Sequence, residues 1–381
     1  MIRYLLILIT VIFSTQLLAQ NDNQLLLKKL VEKEILTSEE AEEIAQETKK
    51  EQVSQDKNFT EKVNSILNPK PYLQLGGYAL LHQSYSNTRD VKNQSAIRFA
   101  FLSMKGEPIK NLNYFILFSI RHAELTECNV SWKLHDALQF KAGMQKTLIA
   151  LENQISLVNL EFIQNAKMMD YLIGGGYDAI GIQNGKHNSG RDIGVKMFGE
   201  LFKQNNHSLI EYAIGMYQGS GINTPAQRSD KDFAANVLIS AIEGFRIGGG
   251  VYLGEAVYGI EGKLPKQAHV RNRWIASSDL KKDKVSARVE YAYANDAGVN
   301  KEGCYGVCSW RFHPKLDLLA KLEYYNDDKT VGREFMDYGT GLNFWFAKMC
   351  RIQANYTYTD FSKVWGQKNS HLVEAQLQIV F

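Results

Sequence analysis

The sequence of 381 residues predicts an all-β fold, a transmembrane antiparallel β-barrel of about sixteen strands with a short N-terminal helical segment. Residues 371–381 (HLVEAQLQIVF) alternate strictly, with Val373 and Leu377 on one face and Glu374 and Gln376 on the other, as in a strand. The same alternation recurs along most of the chain. Beyond the N-terminus no apolar run is long enough for a membrane helix, and only helices and closed barrels satisfy their backbone polar groups in lipid.

The N-terminus is typical of a signal peptide that is removed on export. Arg3 supplies a positive charge, residues 4–13 are an apolar run, and a cut after Ala19 fits the small residues there. The run is short for a bilayer, so a retained anchor helix is the less favoured interpretation. No Cys follows the cut, which disfavours a lipoprotein. Export followed by barrel strands predicts a location in the bacterial outer membrane, with outer-membrane lipid as a partner.

The segment 20–70 predicts short helices on the periplasmic side, ending in a polar linker. Leu26, Leu30 and Val31 form an apolar stripe, and Thr37 with Glu40 resembles a capping box. A small oligomerisation element is the alternative interpretation of this segment.

From residue 71 to residue 381 the period changes to two, which defines the predicted barrel. Short connections at 135–137, 242–244 and 347–350 fit turns at one end, and polar stretches at 218–231 and 325–334 fit loops at the other. The predicted strands are 72–84, 96–105, 112–122, 126–135, 138–146, 191–202, 208–218, 232–242, 245–253, 271–280, 284–294, 304–312, 316–325, 336–347, 351–359 and 372–381.

The polar face of these strands predicts a wet interior. Ile352 and Ala354 alternate with Arg351, Gln353 and Asn355, and a dozen strands repeat such a pattern. A soluble sandwich has an apolar inner face, so it would not place charges there. We therefore predict an open, water-filled pore for the passive diffusion of small hydrophilic solutes.

Charge gives a hint about those solutes. The chain carries 44 basic and 41 acidic residues, and the predicted barrel has about 35 of the first and 30 of the second, which favours anions. Selectivity needs unbalanced charge near the narrowest point, and Lys133, Lys141 and Lys146 lie on strands that enter the long connection described next. Pairing of each cation with a carboxylate is the alternative. The basic side chains predicted to line the pore are Arg98, Arg121, Lys133, Lys141, Lys146, Lys196, Arg273, Arg288, Lys321 and Arg351.

The connection 147–190 lacks the alternation of a strand. Long connections of this kind are uncommon and often functional. We predict that it folds into the bore and sets its narrowest point, with Glu152, Asn153 and Glu161 as constriction-loop residues. Its glycines at 174–176 are interpreted as turn residues, because no Lys-Ser/Thr pair follows them.

No catalytic residue, metal site or cofactor is predicted. Cys304 and Cys308 would lie on one strand about 13 Å apart, too far for a disulfide. The eight histidines are scattered over different predicted elements, and no serine lies in a nucleophile motif. A non-selective or non-channel barrel, an outer-membrane enzyme and a secreted all-β protein remain alternatives, and no nucleic-acid partner is predicted.

Several motifs resemble the phosphate-selective porin O and P family. They are residues 145–154 (QKTLIALENQ), 160–163 (LEFI), 178–181 (DAIG), 190–195 (GRDIGV), 338–344 (YGTGLNF), 351–356 (RIQANY) and, near the N-terminus, 30–37 (LVEKEILT). The similarity covers nearly the whole chain after the signal peptide and is strongest at 140–200 and 336–381.

The resemblance implies a sixteen-stranded barrel, usually a homotrimer, with an inward-folded constriction loop and a possible preference for anions such as phosphate. The chain departs from the family pattern at Leu148-Ile149, where the family has Pro-Phe, and at Gln164, where it has an acidic residue. Because the inward Arg and Lys alternate with Glu and Asp, we predict weak anion preference rather than tight phosphate binding.

Overall fold

The structure is a computed structural model that describes Glu39, Glu42, Ile44 and Gln46, residues 71–204 and residues 207–381. The four isolated positions are helical. The predicted signal peptide at 1–19 and the rest of the predicted helical segment at 20–70 lie outside the described residues. The chain divides into two compact units, Met1–Pro69 and Lys70–Phe381, and the second holds all the strands described below.

The second unit is a closed antiparallel barrel of sixteen strands, which confirms the predicted fold class. Each strand pairs with its neighbours in sequence, and the first pairs with the last. The strands are β1 (Gln74–Ser86), β2 (Asn93–Ile109), β3 (Leu112–Ser119), β4 (Glu124–His135), β5 (Leu138–Lys146), β6 (Arg191–Gln204), β7 (His207–Tyr217), β8 (Asp232–Ile242), β9 (Phe245–Ile260), β10 (Leu264–Lys282), β11 (Val285–Asp296), β12 (Val299–His313), β13 (Leu316–Asp328), β14 (Arg333–Ala347), β15 (Cys350–Phe361) and β16 (Ser370–Val380).

The two ends of the barrel differ in their connections. At one end, which we call the turn end, two-residue connections join strands at 110–111, 136–137, 243–244, 283–284, 314–315 and 348–349. At the other, the loop end, the connections include 218–231 and the long segment 147–190. Tight two-residue turns at one end are usual for antiparallel barrels in membranes.

Several strands extend beyond their predicted ends. The hairpin of β9 and β10 is the clearest case, since prediction ended β9 at residue 253 and began β10 at residue 271. The outward positions of this extension mix Glu255 and Lys266 with Val257 and Val270, and its inward positions include the apolar Ala256 and Tyr258. The alternation that marks a lipid-facing strand is therefore missing there, although the backbone pairing continues.

The chain closes the barrel with its last residues. Tyr78 faces Val380 in the register of β1 and β16, and Gly77 and Phe381 exchange backbone hydrogen bonds of 2.9 and 3.0 Å. A Cβ atom at Gly77 would lie 2.7 Å from the Phe381 ring and 2.5 Å from the Phe101 carbonyl oxygen. Glycine at this position thus allows the C-terminal aromatic ring to lie against β1.

The outer surface of the barrel is apolar. Trp132, Leu322 and Val373 are 51%, 57% and 49% exposed, and similar side chains occur on nearly every strand. Exposed aromatic residues near the turn end are Trp132, Trp310, Phe312, Phe344 and Phe346, and tyrosines nearer the loop end are Tyr85, Tyr291, Tyr338 and Tyr356. A continuous apolar surface bordered by aromatic rings matches the lipid-facing surface of a membrane barrel. Among the described residues, no helix combines the length and apolar character needed to cross a membrane.

Candidate functional site

The segment 147–190 packs inside the barrel. It contains helices α1 (Leu151–Gln154), α2 (Lys167–Leu172) and α3 (Ala179–Asn184), and a 3-10 turn at Leu157–Asn159. Its apolar side chains are buried against inward-facing aromatic residues of the wall. The cluster includes Leu148, Ile149, Phe162, Met168, Leu172 and Ile173 from the segment and Tyr217, Tyr252, Tyr305, Tyr325 and Phe335 from the wall.

The wall of the barrel supplies N-terminal caps for two of these helices. Ala150 and Ala166 precede α1 and α2 and offer no side-chain cap. Instead, Glu290 of β11 accepts the N–H groups of the first two residues of α1 at 2.6 and 2.9 Å. Glu323 of β13 does the same for α2, at 2.9 and 2.6 Å. Each carboxylate satisfies orphan donors and lies at the positive end of a helix, so the two helices start where the wall places an acid.

Two arginines of the wall hold the middle of the segment. Arg288 of β11 lies 2.9 Å from Glu161 and 3.3 Å from Glu152, and all three are nearly buried. Arg351 of β15 donates to the carbonyl oxygens of Leu160 and Val158 at 2.6 and 3.2 Å. Breaking such a buried pair leaves an unpaired charge, which costs several kcal/mol, so these contacts fix the position of the segment.

Glu152 is a buried carboxylate at the start of the segment. Its burial raises its pKa to about 7, although Arg288 opposes the shift. One of its oxygens also accepts the N–H of Ala166 at 3.0 Å, which joins α1 to the start of α2.

A second buried ionic group holds α3. Asp178, which precedes α3, lies 2.7 Å from Arg271 and 2.6 Å from Arg273, and Arg273 also pairs with Asp296 at 2.7 Å. Arg273 is 0% exposed. Burial opposes the ionisation of Asp178, but the two guanidinium groups outweigh it and lower the pKa of Asp178 to about 2.

Two cavities remain in the lumen, and they are lined by β1–β6, by β13–β16 and by the segment 147–190. The turn-side cavity has a volume of about 570 Å³ and the loop-side cavity about 430 Å³. Lys146, Leu157 and Arg191 line both cavities, so they stand where the two meet. We call these three residues the junction.

The lining of the turn-side cavity carries mostly positive charge. It has five basic side chains and one carboxylate, that of Glu127. Arg191 engages this carboxylate with two hydrogen bonds of 3.0 and 2.8 Å. Lys141 and Lys196 face each other across β5 and β6 and have no ion-pair partner among the described residues. Like charges directly opposite in a sheet repel each other, and an anion between them would relieve that cost.

The loop-side cavity is lined by charges of both signs. Its six basic side chains are Arg89, Arg98, Lys146, Lys167, Arg191 and Lys321, and its carboxylates are Glu152, Asp170 and Asp337. Each carboxylate has a cationic or His partner, since Arg288 pairs with Glu152, His187 with Asp170 and Lys167 with Asp337. The free positive charge of this cavity therefore exceeds its free negative charge.

The structure separates the predicted pore-lining residues into three groups. Arg98, Lys141, Lys146, Lys196 and Lys321 line a cavity. Arg273, Arg288 and Arg351 are buried and hold the segment, together with Glu152 and Glu161, while Asn153 donates to the carbonyl oxygens of Thr147 and Gly190 at 3.2 Å. Arg121 lies outside the strands in the connection after β3, and Lys133 at the turn end pairs with Asp136, whose pKa this hydrogen bond lowers.

Sequence reasoning missed three kinds of residue at this site. Arg191 belongs to the junction, and its position opposite Lys146 at the start of β6 was the available signal. The wall carboxylates Glu290 and Glu323 lie in predicted strands, but their role as caps depends on contacts with residues far along the chain. A third group is Asp170, His187 and Ser189.

His187 connects an acid and a serine on the wall of the loop-side cavity. Its Nε2 lies 3.0 Å from Asp170 and its Nδ1 lies 3.2 Å from the Ser189 hydroxyl. Nδ1 also accepts the backbone N–H of Ser189 at 3.0 Å. Asp170 lies 17 residues before His187, so the sequence offers no motif that joins these three residues.

The fold is that of the sixteen-stranded outer-membrane porins, as three solved structures indicate. OmpF of Salmonella typhi in complex with daunomycin aligns with a TM-score of 0.59 and 11% identity, over 81% of this chain and 97% of that one. The anion-selective porin from Comamonas acidovorans gives 0.58 and 10%, over 81% and 99%. OmpT of Vibrio cholerae, an outer-membrane protein in its trimer form, gives 0.55 and 12%, over 81% and 100%.

The sequence comparisons are negative. No family model matches this chain, and no curated protein sequence matches it. The resemblance to the phosphate-selective porins is thus unsupported at the level of family, whereas the porin fold is established by structure.

Proposed function

We propose that this protein is an outer-membrane channel through which small hydrophilic solutes diffuse passively, with a weak preference for anions. The observation that carries the proposal is the pair of adjacent cavities in the lumen, which share the junction residues and have basic side chains in excess on their walls. The apolar outer surface with its aromatic borders supports a position in a bilayer. A signal peptide at 1–19 and a periplasmic helical segment at 20–70 belong to the same proposal.

The proposed anion preference rests on free cations rather than on all the arginines of the lumen. Arg288 is paired with Glu161, and Arg351 is buried against backbone carbonyls of the segment 147–190. This leaves Lys141, Lys196 and Lys146, whose ammonium group contacts only the Ile155 carbonyl oxygen, as the main cavity-lining charges without a carboxylate partner among the described residues. Phosphate would be one permeating anion, without the tight binding that a continuous basic ladder would provide. A homotrimer is proposed as the assembly, in keeping with the trimer form of the similar Vibrio cholerae protein.

Reconstitution into planar bilayers tests the function directly. We expect stepwise conductance and, in a tenfold gradient of potassium chloride, a reversal potential on the anion-selective side, because positive lining raises the local anion concentration. Insertion without a rise in conductance would leave the alternative of a barrel that is not a channel. Clear cation selectivity would remove the anion preference while keeping the channel.

A second candidate function, hydrolysis by Ser189, is favoured by the contacts of His187 with Ser189 and Asp170. A histidine between a serine and an acid is the arrangement that activates a nucleophile. However, the two hydrogen bonds to Nδ1 come from Ser189 itself, two residues along the chain, which is also the geometry of a local turn.

We expect hydrolysis of p-nitrophenyl acetate by the purified protein to be unchanged in the Ser189→Ala variant. Asn153→Ala, which alters the same cavity wall without touching the histidine, serves as the control. Loss of a measurable activity in Ser189→Ala alone, at wild-type conductance, would establish the hydrolase.

A further inference from the structure

The junction has two chemically different sides. On the wall side, the ammonium group of Lys146 donates to the Ile155 carbonyl oxygen at 2.7 Å and has no carboxylate partner among the described residues. Arg191 beside it shares its charge with Glu127. On the segment side, Leu157 is half-buried and lines both cavities, and Ile155 lines the loop-side cavity. The lining that the two cavities share therefore combines one positive charge without a carboxylate partner and the aliphatic carbon of Leu157.

The apolar side continues into each cavity. In the loop-side cavity Phe99 joins Ile155 and Leu157, and in the turn-side cavity Tyr78 and Phe115 line the wall. A small inorganic anion gains only the electrostatic attraction here and must give up hydration water against Leu157, which has no hydrogen bond to offer. An anion with a hydrocarbon part can place its charged group on Lys146 and its carbon chain on Leu157, and it gains the burial of apolar surface as well.

We propose that the junction selects amphipathic organic anions, such as aliphatic monocarboxylates, over inorganic anions of similar size. This inference rests on the proposed channel function and deepens it by naming the class of solute. In a channel whose selectivity is electrostatic alone, a longer carboxylate permeates more slowly because it diffuses more slowly, and it does not bind more tightly. At this junction a longer chain makes more contact with Leu157 and Ile155, so residence in the pore increases with chain length.

The test is the block of chloride current by acetate, butyrate and hexanoate at pH 6.5, where these acids are ionised. We expect the concentration for half-block to fall from acetate to hexanoate by about fivefold, which corresponds to the burial of about one methylene group. Inorganic phosphate is the comparison probe and should block no better than acetate. A half-block concentration that is constant or rises with chain length overturns the inference.

The Leu157→Asn variant assigns the effect to the junction. It should remove the dependence on chain length. Ile182→Asn is the matched control, since Ile182 is an exposed apolar residue of the same segment that lines neither cavity. If Leu157→Asn retains the wild-type series, the inference is wrong.

The block of chloride current by the three carboxylates is measured on the wild-type protein. It therefore tests the inference even if the Leu157→Asn variant fails to fold. Absence of any current in the wild type would contradict the channel itself. An anion-selective current without the chain-length series would contradict only the proposed selectivity.

Discussion

Deletion of residues 152–163 is expected to raise single-channel conductance about two- to threefold, because this stretch bears Leu157 of the junction and fills the lumen next to it. The deletion removes both carboxylates that pair with Arg288, so it is best made together with Arg288→Gln. Without that change an unpaired buried guanidinium would destabilise the barrel by roughly 3–5 kcal/mol. The measurement is the conductance of reconstituted channels, with heat-modifiable gel mobility to confirm a folded barrel.

Arg288→Gln alone is the control for the deletion. We expect it to change conductance little, since Glu290, Glu323 and Arg351 still hold the segment. A folded deletion variant with wild-type conductance would show that residues 152–163 do not limit the current.

The second large effect is expected from charge reversal at Lys141 and Lys146. At a distance of about 7 Å in a water-like medium, each unit charge changes the energy of a monovalent ion by about 0.6 kcal/mol. Replacing both lysines with glutamate changes the local charge by four units. After screening by salt, the ratio of anion to cation permeability should therefore fall by about tenfold or more. Reversal potentials of the Lys141→Glu/Lys146→Glu variant in a salt gradient measure this change.

Lys133→Glu is the matched control. Lys133 is a lysine of the neighbouring strand β4 that pairs with Asp136 and lines neither cavity. It should leave the reversal potential near the wild-type value. An unchanged potential in the double variant, or an equal shift in Lys133→Glu, would contradict the assignment of selectivity to the free lysines.

The inward-facing basic side chains have two different roles, which depend on whether they contact the segment 147–190. Of the lumen arginines, Arg273, Arg288 and Arg351 form buried contacts that position the segment 147–190. Lys141, Lys146 and Lys196 line the cavities and have no carboxylate partner among the described residues. The same residue pattern, charge on the inward face of a strand, thus serves structural attachment on one side and solute contact on the other.

The helix caps show why the segment is difficult to predict locally. In most short helices a Ser, Thr, Asp or Asn at the first position satisfies the free N–H groups. Here alanines stand at those positions before α1 and α2, so the sequence of the segment gives no start signal. The caps are wall glutamates, and Glu290 is 139 residues from Leu151.

The sequence by itself determined the barrel. Alternation of side chains is a property of each strand, and a lipid-facing surface on one side with a polar lumen on the other imposes it on strand after strand, so sixteen strands and their faces were predictable. The strand ends were missed where apolar side chains do not keep to the outer face, as at the far end of β9 and β10.

Only the tertiary structure decided which inward charges are free. Lys146, Arg288 and Arg351 look alike in the alternating pattern, but Arg288 meets Glu152 and Glu161, Arg351 meets backbone carbonyls of the segment, and Lys146 lies at the junction. These outcomes depend on where a long connection with no regular period folds inside a closed barrel. They are set by contacts between residues far apart in the chain, and no local pattern of side chains records such contacts.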